Sequence, residues 1–558
     1  MTVKGKIDPI TVEIIRNAFN SLAHEMNASL FRSAYSPVIY EMKDCSVGIF
    51  NKKAELLGQS SGLPIFLGNL GICIEIVIDK FGIDSFEAGD VFIMNDSYQQ
   101  GTHVSDITVL APVFYGEKLA GFAATRAAMV DVGCKDPAGC ADSTDIYQEG
   151  IRIPPLRLVR AGVLQDEILE LIYMNCRYHN QVKGDLCAQI ASCVTGVKRM
   201  CELYDRYGEE VIEAATEEIF RQSEEMDREA VRRIPDGVYR AEGFLDNDGL
   251  GSGPLKMCVA ITIDGDEMTI DLTGSSGMAR GPINCGIAQA ICGARVGFKE
   301  MINPQSDVSG GTFRNLKVVV PEDSYFNAKE PAPCGWYFTS LGLLIDLIVK
   351  ALSVAVPQNA AAAHYGDSMI IIFSGLLPDT NELFSTCEAT VGGWGGFDGG
   401  DGQNCLINAI NGDFKNLPVE FVENKEPLRL RSYEVRPDSE GAGKYRGGLG
   451  CIREYEVLAD ECYLTLWCER SVTTAWGLNG GLAAQGPDVI VDPGTPQERH
   501  YLKANKIPLR RGSIVRMCTG GGGGFGDPKE RDRDLVRHDV ACGYLSKARA
   551  KEVYGLEL

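Results

Sequence analysis

Regular patterning begins at Asp8-Pro9, an N-cap residue followed by proline at the first helical position. From there Ile15, Phe19, Leu22, Met26 and Leu30 recur at spacings of three and four, one apolar face of a long helix. Short apolar runs follow: CSVGIF (45–50), VFIMND (91–96), ITVLAPVFY (107–115) and KLAGFAATRA (118–127). Gly, Asp and Asn punctuate them, the pattern of strands that end in loops. Leu67, Leu70, Ile74 and Ile78 share a face and predict a helix over 67–81. From about 164 to 230 the pattern is helical almost throughout, and its last part, EEVIEAATEEIFRQSEEMDREAVRRI, is so rich in charge that it reads as solvent-facing.

The character changes near Pro235-Asp236-Gly237. VYRAEGFLDND, KMCVAITIDGDEMTIDLTGSS and FRNLKVVVPE alternate β-branched and polar residues as hairpin strands do. Helical pieces return at 284–302 and 339–356, and a short helical pair closes the pattern after DPKERD. The last third mixes strands with glycine-rich stretches, among them VGGWGGFDGGDGQN, RPDSEGAGKYRGGLG and TGGGGGFGDP. The predicted fold class is α/β to α+β, with mixed sheets, a helical segment around 164–230 and a strand-rich C-terminal part. Two regions are expected. Residues 1–235 form an α/β region with candidate active-site loops, and residues 236–558 a strand-rich α+β region with glycine-rich loops.

Composition narrows the functions. A chain of 558 residues with 45% hydrophobic and 23% charged residues can bury a sizeable core. A net charge of −22 argues against nucleic acid and anionic membrane surfaces, which need a basic face. No apolar run reaches the length of a membrane span, and the start carries no signal-peptide core, so a cytoplasmic location is expected. The 19 cysteines form no CxxC pair; Cys134 and Cys140 are among the closest. In that setting reduced, buried thiols are expected rather than disulfides or a metal cluster.

Candidate chemistry gathers in NDSYQQGTHVSDITVL (95–110). His103 and Asp106 stand three apart where a loop enters a strand, and Asp44 and Asp96 flank other strand ends. Such carboxylate and imidazole groups suit a divalent ion, yet the same residues are also turn formers. Arg126 with Asp131, and Glu149 with Arg152, read equally as substrate-facing groups or as structural ion pairs. The run of five glycines has no GK[ST] after it, and no GxGxxG joins an early strand to a helix. It reads first as a loop that lets backbones approach closely. No GxSxG nucleophile motif is present.

Longer segments carry a resemblance. DPITVEIIRNAFNSLAHEM, RSAYSP, FIMNDSYQQGTHVSDITVLAPVF, DIYQEGIRIPPLRL, LTGSSGMARGPINC, SYEVRPDSEGAGKYRGGLG, AWGLNGG and GGGGFGDP together resemble the hydantoinase B/oxoprolinase family over nearly the whole chain. The resemblance implies a B-type subunit that opens a cyclic amide (a hydantoin, lactam or 5-oxoproline-like ring). ATP and Mg would be held by an A-type partner of actin-like ATPase fold in a hetero-oligomer. It also implies two alternatives, a subunit of an acetone- or acetophenone-type carboxylase joining bicarbonate to a ketone, and a non-catalytic scaffold. Asp44, His103 and Asp106 match family ligands for a divalent metal, Zn or Mn. In the segment that usually supplies a further histidine, RAAMVDVGC, Ala128 and Met129 stand instead. The catalytic residues implied are His103, Asp106, Arg126 and Asp131, with Glu149 and Arg152 on the substrate; without metal, His103 is a candidate general base.

Overall fold

The Asp8 side chain accepts from the backbone N–H groups of Ile10 and Thr11 and starts a helix over Pro9–Ser33, which buries Ile15, Phe19, Leu22, Met26 and Leu30 as the spacing predicts. The computed structural model to which this helix belongs describes residues 2–3 and 6–558. Beside it runs His179–Tyr207. The two approach closely at Gly196, where a Cβ would lie 2.5 Å from Met26 Sδ and 2.8 Å from the Ala123 methyl. A third helix, Glu209–Arg232, carries the charge run. Only one of its faces meets solvent, because Ile212, Ala215, Ile219, Phe220 and Val231 are buried against the others.

These helices cover one face of a seven-stranded antiparallel sheet. In spatial order its strands are Leu56–Gln59, Cys45–Asn51, Lys118–Ala128, Asp106–Tyr115, Val91–Met94, Leu156–Arg160 and Val163–Leu164. The helix Leu70–Phe81 covers the other face through Leu70, Ile74 and Val77 on Phe50, Phe92 and Phe122. Burial on both faces is why the strand Cys45–Asn51 reads as an unbroken apolar run. The helix predicted over 67–81 is interrupted: a short turn, Pro64–Leu67, ends before Asn69. At Gly68 a Cβ would sit 2.4 Å from Cys292 Sγ. Asn69 itself donates to the Gln100 carbonyl and Gln289 and accepts from Arg126. Tertiary bonds of this kind override the local period.

The last long helix of the N-terminal part ends at Arg232, and the next strand begins at Gly237. Gly237–Leu245, Leu255–Asp264 and Glu267–Asp271 are antiparallel, and Leu316–Val319 adds a parallel edge. The helices Ile287–Ile302 and Phe338–Leu352 pack on one another, and the second of them lies on this sheet and is buried almost all round. Beyond them two antiparallel sheets share one core. The first has the order Leu383–Glu388, Ile370–Leu376, Cys462–Trp467, Lys503–Leu509. The second has the order Leu428–Val435, Cys451–Val457, Ile514–Cys518, Asp488–Val491, Arg499–Tyr501. The class is α+β with mixed sheets.

The glycine-rich stretches are ordered architecture. The N–H groups of Gly521 and Gly524 donate to Gln485 and Leu482, those of Gly522 and Phe525 to Gly448 and Tyr445, and that of Gly523 to Ala363. The carbonyls of Gly520 and Gly523 accept from Gly393 and Gly396. Every third residue of the central segment therefore faces the same neighbour. This is the three-residue turn of a polyproline II-type backbone, here satisfied by neighbouring chains instead of water. A Cβ on Gly522 or Gly523 would lie 2.0 Å from the carbonyl oxygen of Trp394 or Trp476. The sequence reading of close backbone approach is what the geometry contains.

Candidate active site

Three adjacent strand ends build the site. Cys45 pairs with Ala127, and Asp106 pairs with Ala128, so the end of the strand Lys118–Ala128 lies between Asp44 and Asp106. The Ala128 N–H donates to the Asp44 carbonyl at 3.1 Å, and the Met129 N–H to the Ser105 carbonyl at 2.8 Å. The stretch 95–106 is braced from behind. Asn95 donates to the carbonyls of Val104 and Ile151, Gln100 donates to the Asp106 carbonyl, and Asp96 caps the short helix Ser97–Gln100. A turn from the His103 carbonyl to the Asp106 N–H then brings the two side chains together.

His103 Nε2 lies 3.0 Å from Asp106 Oδ1, an ion contact set at an oblique angle. The Ser105 hydroxyl lies 2.6 Å from His103 Nδ1. Tyr337, at the start of the helix Phe338–Leu352, donates to Asp106 Oδ2 at 3.2 Å, and its ring rests 5.3 Å from the imidazole. Asp106 is fully buried, whereas His103 keeps 27% of its side chain open. Asp44 Oδ1 is buried without a hydrogen-bond partner. Burial, then repulsion from Asp106, push the Asp44 carboxyl up to about 7, with His103 opposing. Burial disfavours the His103 imidazolium, yet the neighbouring Asp106 and Asp44 hold its pKa above the ordinary value. These groups line a cavity of about 170 Å³ walled by Ile65, Phe66, Trp336, Ile370 and Phe414.

A divalent ion would need several donors converging here. Asp44 supplies an oxygen that a cation would satisfy. His103, however, turns one nitrogen to Asp106 and the other to Ser105, and the methyl of Ala128 and the thioether of Met129 replace imidazole at the strand end. Among the described residues no three His, Cys, Asp or Glu side chains are grouped so as to hold a metal ion. This donor set does not fit a Zn or Mn centre.

The remaining candidates are spread out. Arg126 is wholly buried and donates to Thr108, Asn69 and Cys73, with its guanidinium over Phe66. Asp131 pairs instead with Arg177 at 2.8 Å, so Arg126 and Asp131 are not partners, although Asp131 lines the cavity. Glu149 reaches the cavity wall but accepts from Ser143 Oγ and from the N–H groups of Cys334 and Gly335, which anchors the turn leading to Tyr337. Burial raises its carboxyl to about 7 against those donors. Arg152 pairs with Asp96 and Glu330 and lies over Tyr98. Ser105, Tyr337, Cys134, Cys140 and Glu426 were absent from the sequence-derived set, and all but Ser105 come from segments far from the His103 loop or carry no spacing signal.

Comparison with known proteins follows the same line. The model for hydantoinase B/oxoprolinase matches residues 8–528. The B-type component of a putative D-/L-hydantoinase from Pseudomonas sp. is 32% identical, over 99% of this chain and 96% of its own length. The ATP-dependent caprolactamase of Pseudomonas jessenii superposes with a TM-score of 0.91 at 27% identity, covering 99% of this chain and 97% of that one. The nucleotide-free acetone carboxylase structure shares the fold, with a TM-score of 0.90 at 20% identity over 98% of this chain and 79% of that one. The helices, the strand ends and the motifs on them are thus common property of a known group, and this chain belongs to the hydantoinase B/oxoprolinase family.

Proposed function

We propose that the chain is the B-type subunit of an ATP-dependent amidohydrolase that opens a small cyclic amide. ATP and magnesium would sit on a separate A-type subunit, as the names of the hydantoinase and caprolactamase relatives suggest. The observation that carries the reading is the His103–Asp106–Tyr337 array beside the unpartnered Asp44 oxygen in an apolar cavity. An amide carbonyl oxygen is a poor leaving group, and phosphorylation by the partner makes its carbon open to water. Asp44 takes the proton from that water, with a pKa close to neutrality as a general base needs. His103, kept protonated by Asp106, stabilises the negative charge that develops on oxygen. The ring C–N bond then breaks and the nitrogen takes up a proton.

A second reading, ketone carboxylation, draws on Ala128 and Met129, since attack by an enolate carbon on a carboxyl donor does not call for a metal-bound water. The test is ATP turnover by this chain purified with its A-type partner, with hydantoins, lactams and ketones, each with and without bicarbonate. Stimulation by a cyclic amide independent of bicarbonate supports the amidohydrolase. Turnover that needs both ketone and bicarbonate replaces it with the carboxylase.

A further inference from the structure

Two thiols in the cavity wall have no part in that chemistry. Cys134 Sγ and Cys140 Sγ lie 3.5 Å apart, both are buried, and both line the cavity. Their approach is built in at both ends of the loop. Arg177 donates to the Cys134 carbonyl at 2.7 Å, and Trp336 Nε1 donates to the Cys140 carbonyl at 2.8 Å. Asn505 bridges the loop by accepting from the Ala141 N–H and donating to Asp136. Between the thiols the chain reverses through Ala138 and Gly139, with φ of 61° and 134°. Two cations, Lys135 and Arg177, flank the pair, an environment that favours a thiolate.

We propose that Cys134 and Cys140 form a peroxide-oxidisable dithiol in the cavity wall, and that its disulfide form reshapes the cavity. The Cys134 thiolate attacks one oxygen of a hydroperoxide. The O–O bond breaks, the other oxygen leaves as water or alcohol after taking a proton, and Cys134 becomes a sulfenic acid. Cys140 sulfur then attacks the Cys134 sulfur, the S–O bond breaks, and the departing hydroxide takes the Cys140 proton as water. One peroxide is reduced and two thiols are oxidised, two electrons in all. The sulfurs must close by roughly 1.5 Å to reach a disulfide length. That movement pulls on Trp336 through the Cys140 carbonyl, and Trp336 stacks on Trp467 at 5.1 Å.

Trypsin cuts between the two thiols after Lys135, so the disulfide is read directly: fragments 127–135 and 136–152 stay joined until reduced. The full chain is titrated with hydrogen peroxide and mapped without reductant, with the exposed Cys187 and Cys542 as internal references. The joined fragments are expected at peroxide doses roughly tenfold below those that modify the references, as thiolate character predicts. Dithiothreitol should release them, and tryptophan emission should shift in step. In Cys140→Ser, Cys134 should be trapped as a dimedone adduct and the emission shift should vanish. Separate fragments at doses that oxidise Cys187 and Cys542 would overturn the proposal, as would Cys134 pairing with another thiol. None of these readouts depends on the amidohydrolase reading.

Discussion

At the scale of single residues, the site runs on carboxyls held near neutrality. Asp44 and Glu149 are both pushed to about 7 by burial, against ordinary values of 3.8 and 4.5. Because these pKa values are raised in the folded state, the fold binds protons that the unfolded chain has already released between about pH 4 and 7. Their contribution is therefore fully present below the unfolded value and is lost as pH rises through about 7. Melting temperature is expected to fall between about pH 5 and 8. Asp44→Asn should flatten that slope while abolishing turnover; a variant that melts with the same slope as the parent would show that Asp44 titrates normally. His103→Gln should cost roughly a hundredfold or more in kcat, the usual size of a lost oxyanion partner, with a smaller change in KM. Much of this set was legible in the sequence. Asp44, His103 and Asp106 sit at strand ends whose apolar runs are plain, and the register of three strands does the rest. Tyr337 was not legible, because only the packing of a distant helix brings its hydroxyl to Asp106. Arg126 misled: a charged residue near a strand end suggests substrate, yet the alternating pleat turns it to the covered face among Asn69, Thr108 and Cys73.

Elements follow the hydrophobic period wherever they meet a neighbour along one face. The first helix and the pair His179–Tyr207 and Glu209–Arg232 were all visible in the sequence, since each buries a single apolar stripe. The glycine-rich segments were not visible as structure, because a backbone with a three-residue turn and no side chains leaves no hydrophobic pattern to read. Their energetics are accordingly steric. Gly523→Ala places a methyl 2.0 Å from the Trp476 carbonyl oxygen and cannot be relieved by a side-chain rotation. It should destabilise the chain by more than about 4 kcal/mol or prevent its folding, in the rare class of severe substitutions. Gly253→Ala, with nothing within 4 Å of the added methyl, should be neutral or slightly stabilising. Chemical denaturation of the two variants separates these outcomes, and equal midpoints would mean the polyglycine contacts are not formed.

For the molecule as a whole, the acidic surface and the absence among the described residues of a helix long and apolar enough to cross a membrane agree with a chain whose business is with another protein and a small molecule. The cavity draws its walls from residues 37 to 426, so no one stretch of sequence could have announced it. The polyglycine hub adds a requirement of timing. Segments around 363, 393–396, 445–448 and 482–485 give or take their backbone bonds from residues 520–526. A chain emerging from the ribosome presents those segments first, with amide and carbonyl groups that have only water to bind. Until the hub is made, the C-terminal third has no way to close, and its sheet edges stand open to other chains. Nascent chains stalled before residue 519 should therefore be cut by protease throughout 360–520, while residues 9–232 are already protected. Protection of 360–520 before the hub emerges would mean that its segments assemble on their own. Synthesis order is thereby written into the fold: the part that can bind substrate is ready early, and the piece that locks the far side arrives last.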